Sequence, residues 1–380
     1  MRAASEAQRK LAETWPRPRV LTALTPVRAE RLKSQHTMAV HRVLPVSVSE
    51  LPNRAGPVPR LLEGFLNRAP QHVIHAVATA LARGRRLAPD PGWRFHIPGD
   101  DADQVVQFKR DIWTHYSDNK IQKPVVFRWY ERLRIRLYLG NDLSLCLYVL
   151  GAFEPNEFVF LRDLLEPGMV VLDGGANDGL FSLYASRRVG PRGSVLAVEP
   201  SGREFARLTA NIELNRLRNV LMFKLALGNR AGVTTLAVAE PQHAGMNAID
   251  PRRSGQSMAA WTESHESVRL DTIDALVARS GVERLDLIKL DIEGSEVDAI
   301  IGARDAIARF RPTILLEVEG DRLASQGRTS EDLLEELAGL GYELWGFDAA
   351  SGQLRSADSA PESASNAVAA PRGWIPPIPG

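Results

Sequence analysis

The chain has 380 residues, of which 44% are hydrophobic and 24% are charged, so it is long enough for one large domain with additions or for two domains. Its 47 lysines and arginines balance 46 aspartates and glutamates, which argues against broad electrostatic binding to nucleic acid. The single cysteine, Cys146, excludes an internal disulfide and a multi-cysteine zinc site. No apolar run reaches 18 residues, so we expect no membrane span and a cytoplasmic protein.

The N-terminal part is predicted to contain two regions that differ in residue composition and in hydrophobic pattern. Residues 1–60 are rich in proline and basic side chains, which is typical of a disordered extension. Residues 61–150 are predicted to be an N-terminal α+β region that caps a substrate site or mediates formation of a homodimer. A helix is predicted over 73–82, and strands are predicted over 125–130, 133–139 and 143–149.

The middle of the chain, residues 151–350, alternates apolar runs with helical patterns. This alternation is typical of an α/β fold with a doubly wound, Rossmann-like parallel sheet. Five runs are predicted to be strands: 169–173, 194–199, 220–224, 285–291 and 313–318. Residues 351–380 are rich in alanine, serine and proline and are predicted to be a flexible tail.

The turn after the first of these strands is a candidate ligand site. Residues 173–179 read Asp-Gly-Gly-Ala-Asn-Asp-Gly. Glycines allow a tight turn and close approach of the backbone to a ligand, and ligands of open α/β sheets bind at the carboxyl ends of the strands. The carboxylate of Asp173 would repel a pyrophosphate but attract an aminoacyl cation, which favours S-adenosylmethionine over a dinucleotide.

Two further positions fit an adenosine ligand. Glu199 ends the second strand, where an acid accepts hydrogen bonds from ribose hydroxyls. Ala226 and Leu227 follow the third strand and are predicted to lie beside the adenine. A nicotinamide-dependent oxidoreductase uses the same acidic position, but its G-x-G-x-x-G turn is absent here.

The end of the fourth strand is the candidate catalytic region. Residues 289–296 contain Lys289, Asp291 and Glu293, and strand alternation places Lys289 and Asp291 on one face. Asp291 is the first candidate for a general base, with Glu293 beside it. We predict no metal, although a divalent ion held by Asp291 with Glu317 or Glu319 is an alternative.

Two histidines fall in the long insertion 240–266 before the fourth strand. His243 is the second candidate for a base, and His265 is an alternative. The polar and aromatic residues of this insertion are typical of a lid over a substrate.

These residues together resemble the FkbM family of S-adenosylmethionine-dependent methyltransferases. The resemblance is carried by 151–155, 167–179, 198–200, 211–215, 289–296 and 315–318. The Lys-x-Asp-x-Glu-Gly element at 289–294 is its most specific part. The chain departs from the family at Gly174 and Asp178, where the family usually has an aliphatic residue.

The resemblance implies a seven-stranded sheet and methyl transfer from S-adenosylmethionine, mainly to a hydroxyl of a natural product or a saccharide. It also implies that the methionine part lies against Asp173, Gly175 and Asn177 and the ribose against Glu199. The positions of the turns and the resemblance together give the predicted cofactor-site residues, which are Asp173, Gly175, Ala176, Asn177, Gly179, Glu199, Pro200, Ala226 and Leu227. A non-catalytic module that keeps the fold to bind a partner or cofactor is the alternative.

Overall fold

The computed structural model describes residues 65–66, 68–82, 104–249, 262–348, 352–357 and 365–377. The extension predicted over 1–60 lies outside the described residues. The N-terminal region begins with helices α1 (Gln71–Leu81) and α2 (Gln104–Asp118). They are followed by an antiparallel pair of strands, β1 (Val125–Arg128) and β2 (Arg134–Leu137), with a 3₁₀ turn at Tyr130–Arg132.

The rest of the chain alternates strands and helices. The strands are β3 (Val170–Gly174), β4 (Ser194–Val198), β5 (Val220–Phe223), β6 (Ala226–Leu227), β7 (Gly232–Ala239), β8 (Ala248–Ile249), β9 (Thr262–Asp271), β10 (Leu287–Leu290), β11 (Thr313–Val318), β12 (Tyr342–Phe347), β13 (Leu354–Ala357) and β14 (Ser365–Pro371). The helices are α3 (Asp142–Ser144), α4 (Pro155–Leu164), α5 (Leu180–Val189), α6 (Gly202–Asn215), α7 (Ile273–Ser280), α8 (Glu296–Ile301), α9 (Arg304–Phe310), α10 (Gly320–Ser325) and α11 (Ser330–Gly339).

The main sheet confirms the predicted doubly wound fold. Its eight strands, and not the seven that the resemblance implies, run in the order β13-β12-β14-β11-β10-β3-β4-β5. Five neighbouring strands of this sheet are parallel: β5, β4, β3, β10 and β11. Strand β14 runs antiparallel to both β11 and β12. Because the chain order reverses between β3 and β10, the ends of these two strands form the crevice in which ligands of such sheets bind.

Both faces of the main sheet are covered, which explains the continuous apolar runs of its central strands. Val171, Leu287 and Leu315 point to one core, while Leu172 and Ile288 point to the other. The four residues of β10 and the five of β3 are all buried. A smaller sheet, in the order β6-β9-β7-β8, follows β5.

The N-terminal region shares a core with the main sheet. Its buried residues Ile112, Phe127 and Leu137 belong to the same cluster as Val171. The outer edge of β2 lies along α6, and the backbone N–H of Arg136 donates to Asn211 Oδ1 at 2.7 Å. The N-terminal region is therefore packed on the face of the main sheet to which Val171 points.

The segment predicted as a strand over 143–149 is helical, so that prediction is wrong. Asn141 and Ser144 form a reciprocal capping box, which begins α3. The helix continues as a π-helix at Leu145–Leu150 and ends at Gly151, which has φ +95°. All six residues of the π-helix are buried, and a short apolar run does not distinguish a buried helix from a buried strand.

The prediction of a flexible tail over 351–380 is wrong for Ser365–Pro371. These residues form β14, which inserts between β11 and β12. Ala367, Val368 and Ala369 have no exposed surface. The small side chains that suggested low complexity fit a strand covered on both faces.

Among the described residues, no single helix is long and apolar enough to cross a membrane. One bent pair, Asp142–Leu150 with Pro155–Leu164, reaches that length and hydrophobicity only when its two parts are combined, and they meet at 83°.

The central position of β14 gives a stability prediction. Val368→Ala should lower the free energy of unfolding by about 1.5–3 kcal/mol, because it removes buried apolar surface from the main core. Ile375→Ala, at a residue that is 80% exposed, is the matched control and should change stability by less than about 0.5 kcal/mol. Urea denaturation measures both. Equal effects of the two substitutions would contradict a central position of β14.

Candidate functional site

The candidate site lies where β3, β4 and β10 end side by side. Gly174 of β3 is in register with Val198 of β4 on one side and with Leu290 of β10 on the other. The residues that follow these strands, Gly175, Glu199 and Asp291, therefore meet at one edge of the sheet.

The turn after β3 is held against both neighbouring strands. The N–H groups of Gly175 and Ala176 both donate to Val198 O, at 3.0 and 2.9 Å. Gly175 has φ +73°, and a Cβ atom there would lie 1.8 Å from Asp291 O. Only glycine fits this left-handed position and this close approach. Gly179, with φ +95°, likewise allows the start of α5 to pack on Leu208 of α6.

Glu199 is bonded to this turn. Its Oε2 accepts a hydrogen bond from the N–H of Asn177 at 2.9 Å, and its Oε1 accepts one from the N–H of Ser201 at 2.8 Å. Burial and the neighbouring Glu204 raise the pKa of Glu199 to about 8, although the two N–H groups lower it. Each carboxylate oxygen has a second lone pair, so Glu199 is still able to accept a ligand hydroxyl.

Asp173 is enclosed within the protein. Only 1% of its surface is exposed, and its Oδ2 accepts a hydrogen bond from Ser182 Oγ at 2.6 Å. Its Oδ1 lies 3.5 Å from Lys289 Nζ. Asp173 was expected to attract a cation of the ligand, but in the structure it already has a cationic partner in Lys289.

Lys289 links the turn to the candidate base. Its Nζ donates to Gly175 O at 3.1 Å and to Asp291 Oδ2 at 3.3 Å. Burial lowers the pKa of this ammonium, but Asp291 and Asp173 more than offset that effect, so its pKa is raised. The side chain of Asp291 is 33% exposed, so this carboxylate faces both Lys289 and the open side of the site.

The structure brings further carboxylates to Asp291. Oxygen atoms of Asp291, Glu293 and Glu317 lie within 4.8 Å of one another, which is close enough for a shared cation or proton. Arg322 contacts Glu293 and also Glu319. Glu293 is therefore a buried residue with an arginine partner. The guanidinium of Arg322 thus already supplies a positive charge to the group formed by Asp291, Glu293 and Glu317.

The two histidines of the insertion lie in different surroundings. His243 is on a 3₁₀ segment, Pro241–Met246, and its Nδ1 lies 3.2 Å from Asp142 Oδ2. On the same segment, a Cβ atom at Gly245 would lie 3.8 Å from Asn177 Nδ2. This segment therefore reaches the turn, while the His243 ring points to the N-terminal region. His265 is exposed on β9. Residues 250–261 of the insertion lie outside the described residues.

The residues predicted to contact the adenine are buried. Ala226 and Leu227 form β6 and are 3% and 2% exposed. A Cβ atom at Gly174 would lie 2.9 Å from Leu227 Cδ1 and 3.0 Å from Leu290 Cδ2. Leu227 thus fills the space beside Gly174, which explains why this chain has no aliphatic side chain at position 174. Pro200 is partly exposed after Glu199.

The second departure from the resemblance, Asp178, forms a buried ion pair. Asp178 Oδ1 lies 3.7 Å from Arg207 Nη1, and both side chains are buried. Burial raises the pKa of Asp178 to about 6, although Arg207 lowers it. The Arg207 guanidinium lies 4.0 Å from the ring centroid of Tyr138 and donates to Gln122 Oε1. These contacts connect the turn to the N-terminal region.

Sequence reasoning missed the partners of these residues. Strand alternation placed Lys289 beside Asp291, but nothing local in the sequence showed that Lys289 also contacts Asp173. Arg207 and Arg322 lie on helices far along the chain from Asp178 and Glu293, the acids of the site that they contact. Glu154 was noted only within a matching stretch, yet it has a left-handed backbone, with φ +42°, and it interacts electrostatically with Asp291.

The close contact at Gly175 gives a test with a matched control. Gly175→Ala and Gly281→Ala both place a side chain at positive φ, which costs about 1–2 kcal/mol. Gly281, with φ +62°, has open space around its Cβ position, whereas Gly175 meets Asp291 O, so Gly175→Ala should lose about 1–3 kcal/mol more. Thermal and urea unfolding measure the difference. Equal losses would show that the turn and β10 do not approach this closely.

Comparison with known proteins agrees with this geometry. The methyltransferase FkbM domain matches residues 173–344. Over 238 residues the chain is 29% identical to the AMB antimetabolite synthetase AmbE of Pseudomonas aeruginosa, covering 54% of this chain and 11% of that protein. Over 159 residues it is 27% identical to the 2-O-methyltransferase NoeI of Sinorhizobium fredii, covering 39% of this chain and 63% of that protein.

A third relative is the 31-O-demethyl-FK506 methyltransferase FkbM of Streptomyces tacrolimicus. It is 27% identical over 164 residues, covering 37% of this chain and 62% of that protein. The chain thus spans less than two thirds of the length of each of these relatives. The turn after β3, Glu199 and the end of β10 all lie within residues 173–344, the part of the chain that matches the methyltransferase FkbM domain.

Proposed function

We propose that the protein is an S-adenosylmethionine-dependent methyltransferase that acts on a hydroxyl group of a natural product or a saccharide. The observation that carries the proposal is the meeting of the Gly175 turn, Glu199 and Asp291 at the carboxyl ends of three adjacent parallel strands. The names of the relatives NoeI and FkbM support transfer to oxygen.

The donor set fits the proposed cofactor. Glu199 offers carboxylate oxygens, which suit the two hydroxyls of a ribose. The turn at Gly175 and Asn177 is partly exposed, so its backbone is accessible to the methionine part. Bound S-adenosylmethionine supplies an activated methyl group, and the protein's contribution is therefore mainly to align the donor and acceptor.

Asp291 is the proposed general base. It is the partly exposed carboxylate at the end of β10, and it is held in place by Lys289. It receives the proton that the acceptor hydroxyl loses when the new carbon–oxygen bond forms. Glu293, which is held by Arg322, is proposed to orient the acceptor. His243, bonded to Asp142, is proposed to support the segment that covers the turn.

Calorimetric titration tests the cofactor site. S-adenosylmethionine and S-adenosylhomocysteine should both bind the folded wild-type protein. Glu199→Ala should weaken binding of both by roughly tenfold or more, because it removes the oxygen atoms proposed to accept hydrogen bonds from the ribose hydroxyls. Glu213→Ala, at an exposed position of α6, is the control and should leave binding unchanged. A folded wild-type protein that binds neither ligand would refute the proposed cofactor and favour a non-catalytic module.

Transfer of an isotope-labelled methyl group tests the acceptor class. In a screen of hydroxylated natural products, saccharides and primary amines, we expect labelling of a hydroxyl compound. Asp291→Asn should reduce the turnover of that compound about 10²–10⁴-fold, since it removes the general base. It should leave the affinity for S-adenosylhomocysteine, which carries no sulfonium charge, within about threefold. Labelling of amines alone would contradict O-methylation, and an active Asp291→Asn variant would exclude Asp291 as the base.

A further inference from the structure

Lys289 has an unusual position for a charged side chain. It is 5% exposed, and its Nζ lies 3.3 Å from Asp291 Oδ2 and 3.5 Å from Asp173 Oδ1. The ring of Phe181 lies on another side, with its centroid 4.8 Å from Nζ. Buried ammonium groups are costly unless they are paired, and this one has two carboxylates, a carbonyl and an aromatic face.

Lys289 contacts groups that have a proposed role in methyl transfer. Its hydrogen-bond partner Gly175 belongs to the turn proposed to hold the methionine part, and Asp291 is the proposed base. The charge of Lys289 therefore contributes to the electrostatic field that would act on a bound sulfonium. The group as a whole, Asp173, Asp291 and Lys289, has a formal charge of −1.

Methyl transfer changes the charge at this place. The carbon–sulfur bond breaks and its electron pair remains on sulfur, a carbon–oxygen bond forms, and the hydroxyl proton leaves to a base. The sulfonium thus becomes an uncharged thioether. Asp173 and Asp291 alone would stabilise the sulfonium in preference to the thioether, and a site that binds the charged reactant too well opposes the reaction.

We propose that Lys289 is a positioning residue whose charge offsets this preference, so that the site holds two carboxylates beside the sulfonium without binding S-adenosylmethionine far more tightly than S-adenosylhomocysteine. The proposal rests on the proposed function. Lys289 also orients Asp291 and the Gly175 carbonyl, and its contacts with both explain why a lysine is buried at this place.

The ratio of the two dissociation constants tests the proposal without an acceptor. Unit charges within about 10 Å at an effective dielectric constant of ~20 change a binding constant by about tenfold. Lys289→Met should therefore raise the ratio of the S-adenosylhomocysteine Kd to the S-adenosylmethionine Kd by about tenfold. Calorimetric titration at pH 8.5 is suitable, because a buried carboxyl that has lost its counter-ion takes up a proton at lower pH and conceals the effect.

Two variants separate charge from structure. Lys289→Met combined with Asp173→Asn removes one charge of each sign, so its Kd ratio should stay within about threefold of the wild-type ratio. Lys109→Met removes another buried lysine, which lies over the Tyr148 ring in the N-terminal region, and should leave the ratio unchanged. If Lys289→Met alone does not fold, Asp173→Asn compared with the double variant reports the same change in charge.

The outcomes are distinguishable. Equal weakening of both ligands in Lys289→Met, with the ratio unchanged, would show a purely structural lysine and overturn the inference while the proposed function stands. A shift of the ratio toward S-adenosylhomocysteine would also overturn it. A wild-type protein that binds neither ligand would refute the proposed function and the inference with it.

Discussion

The site depends on one buried interaction, the contact of the Lys289 ammonium with the carboxylates of Asp173 and Asp291. Lys289 and Asp173 are direct neighbours on β10 and β3, the two strands at which the order of the sheet reverses. The same ammonium bonds to Gly175 O. One buried charge thus contacts the ends of β3 and β10 and the turn that follows β3, and its removal would leave Asp173 buried without the Lys289 ammonium as its partner.

Close approach of the backbone is the second constraint at this edge. Gly175 brings the turn onto β10, and Gly174 leaves room for Leu227 and Leu290. An aliphatic residue at 174 would displace one of these leucines, so the position of Leu227 in β6 depends on the glycine at 174. Asp178 similarly has Arg207 as its partner, and Arg207 stacks on Tyr138. Both departures from the family pattern have partners within this chain.

Local signals predicted the parallel strands and the turn after β3, because each depends on a short stretch of sequence. The π-helix at Leu145–Leu150 was not predictable, since six consecutive apolar residues fit a strand equally well. Nor was β14, whose Ala367 and Ala369 gain stability only from the strands on either side. The partners of Asp173 and Asp178 were missed for the same reason, because they depend on tertiary packing.

Burial changes the balance of charge among the carboxyl groups around Asp291. Burial and neighbouring carboxylates raise the pKa values of Glu154 and Glu317 well above the ordinary range, which favours the uncharged form of each. The pKa of Lys289 is instead raised, because its carboxylate partners outweigh the effect of burial, and this favours its charged form. Both shifts reduce the negative charge beside Asp291, and a carboxyl in its uncharged form can donate a hydrogen bond. The surroundings of Asp291 therefore suit an uncharged acceptor with hydroxyl groups better than a cluster of carboxylates alone would.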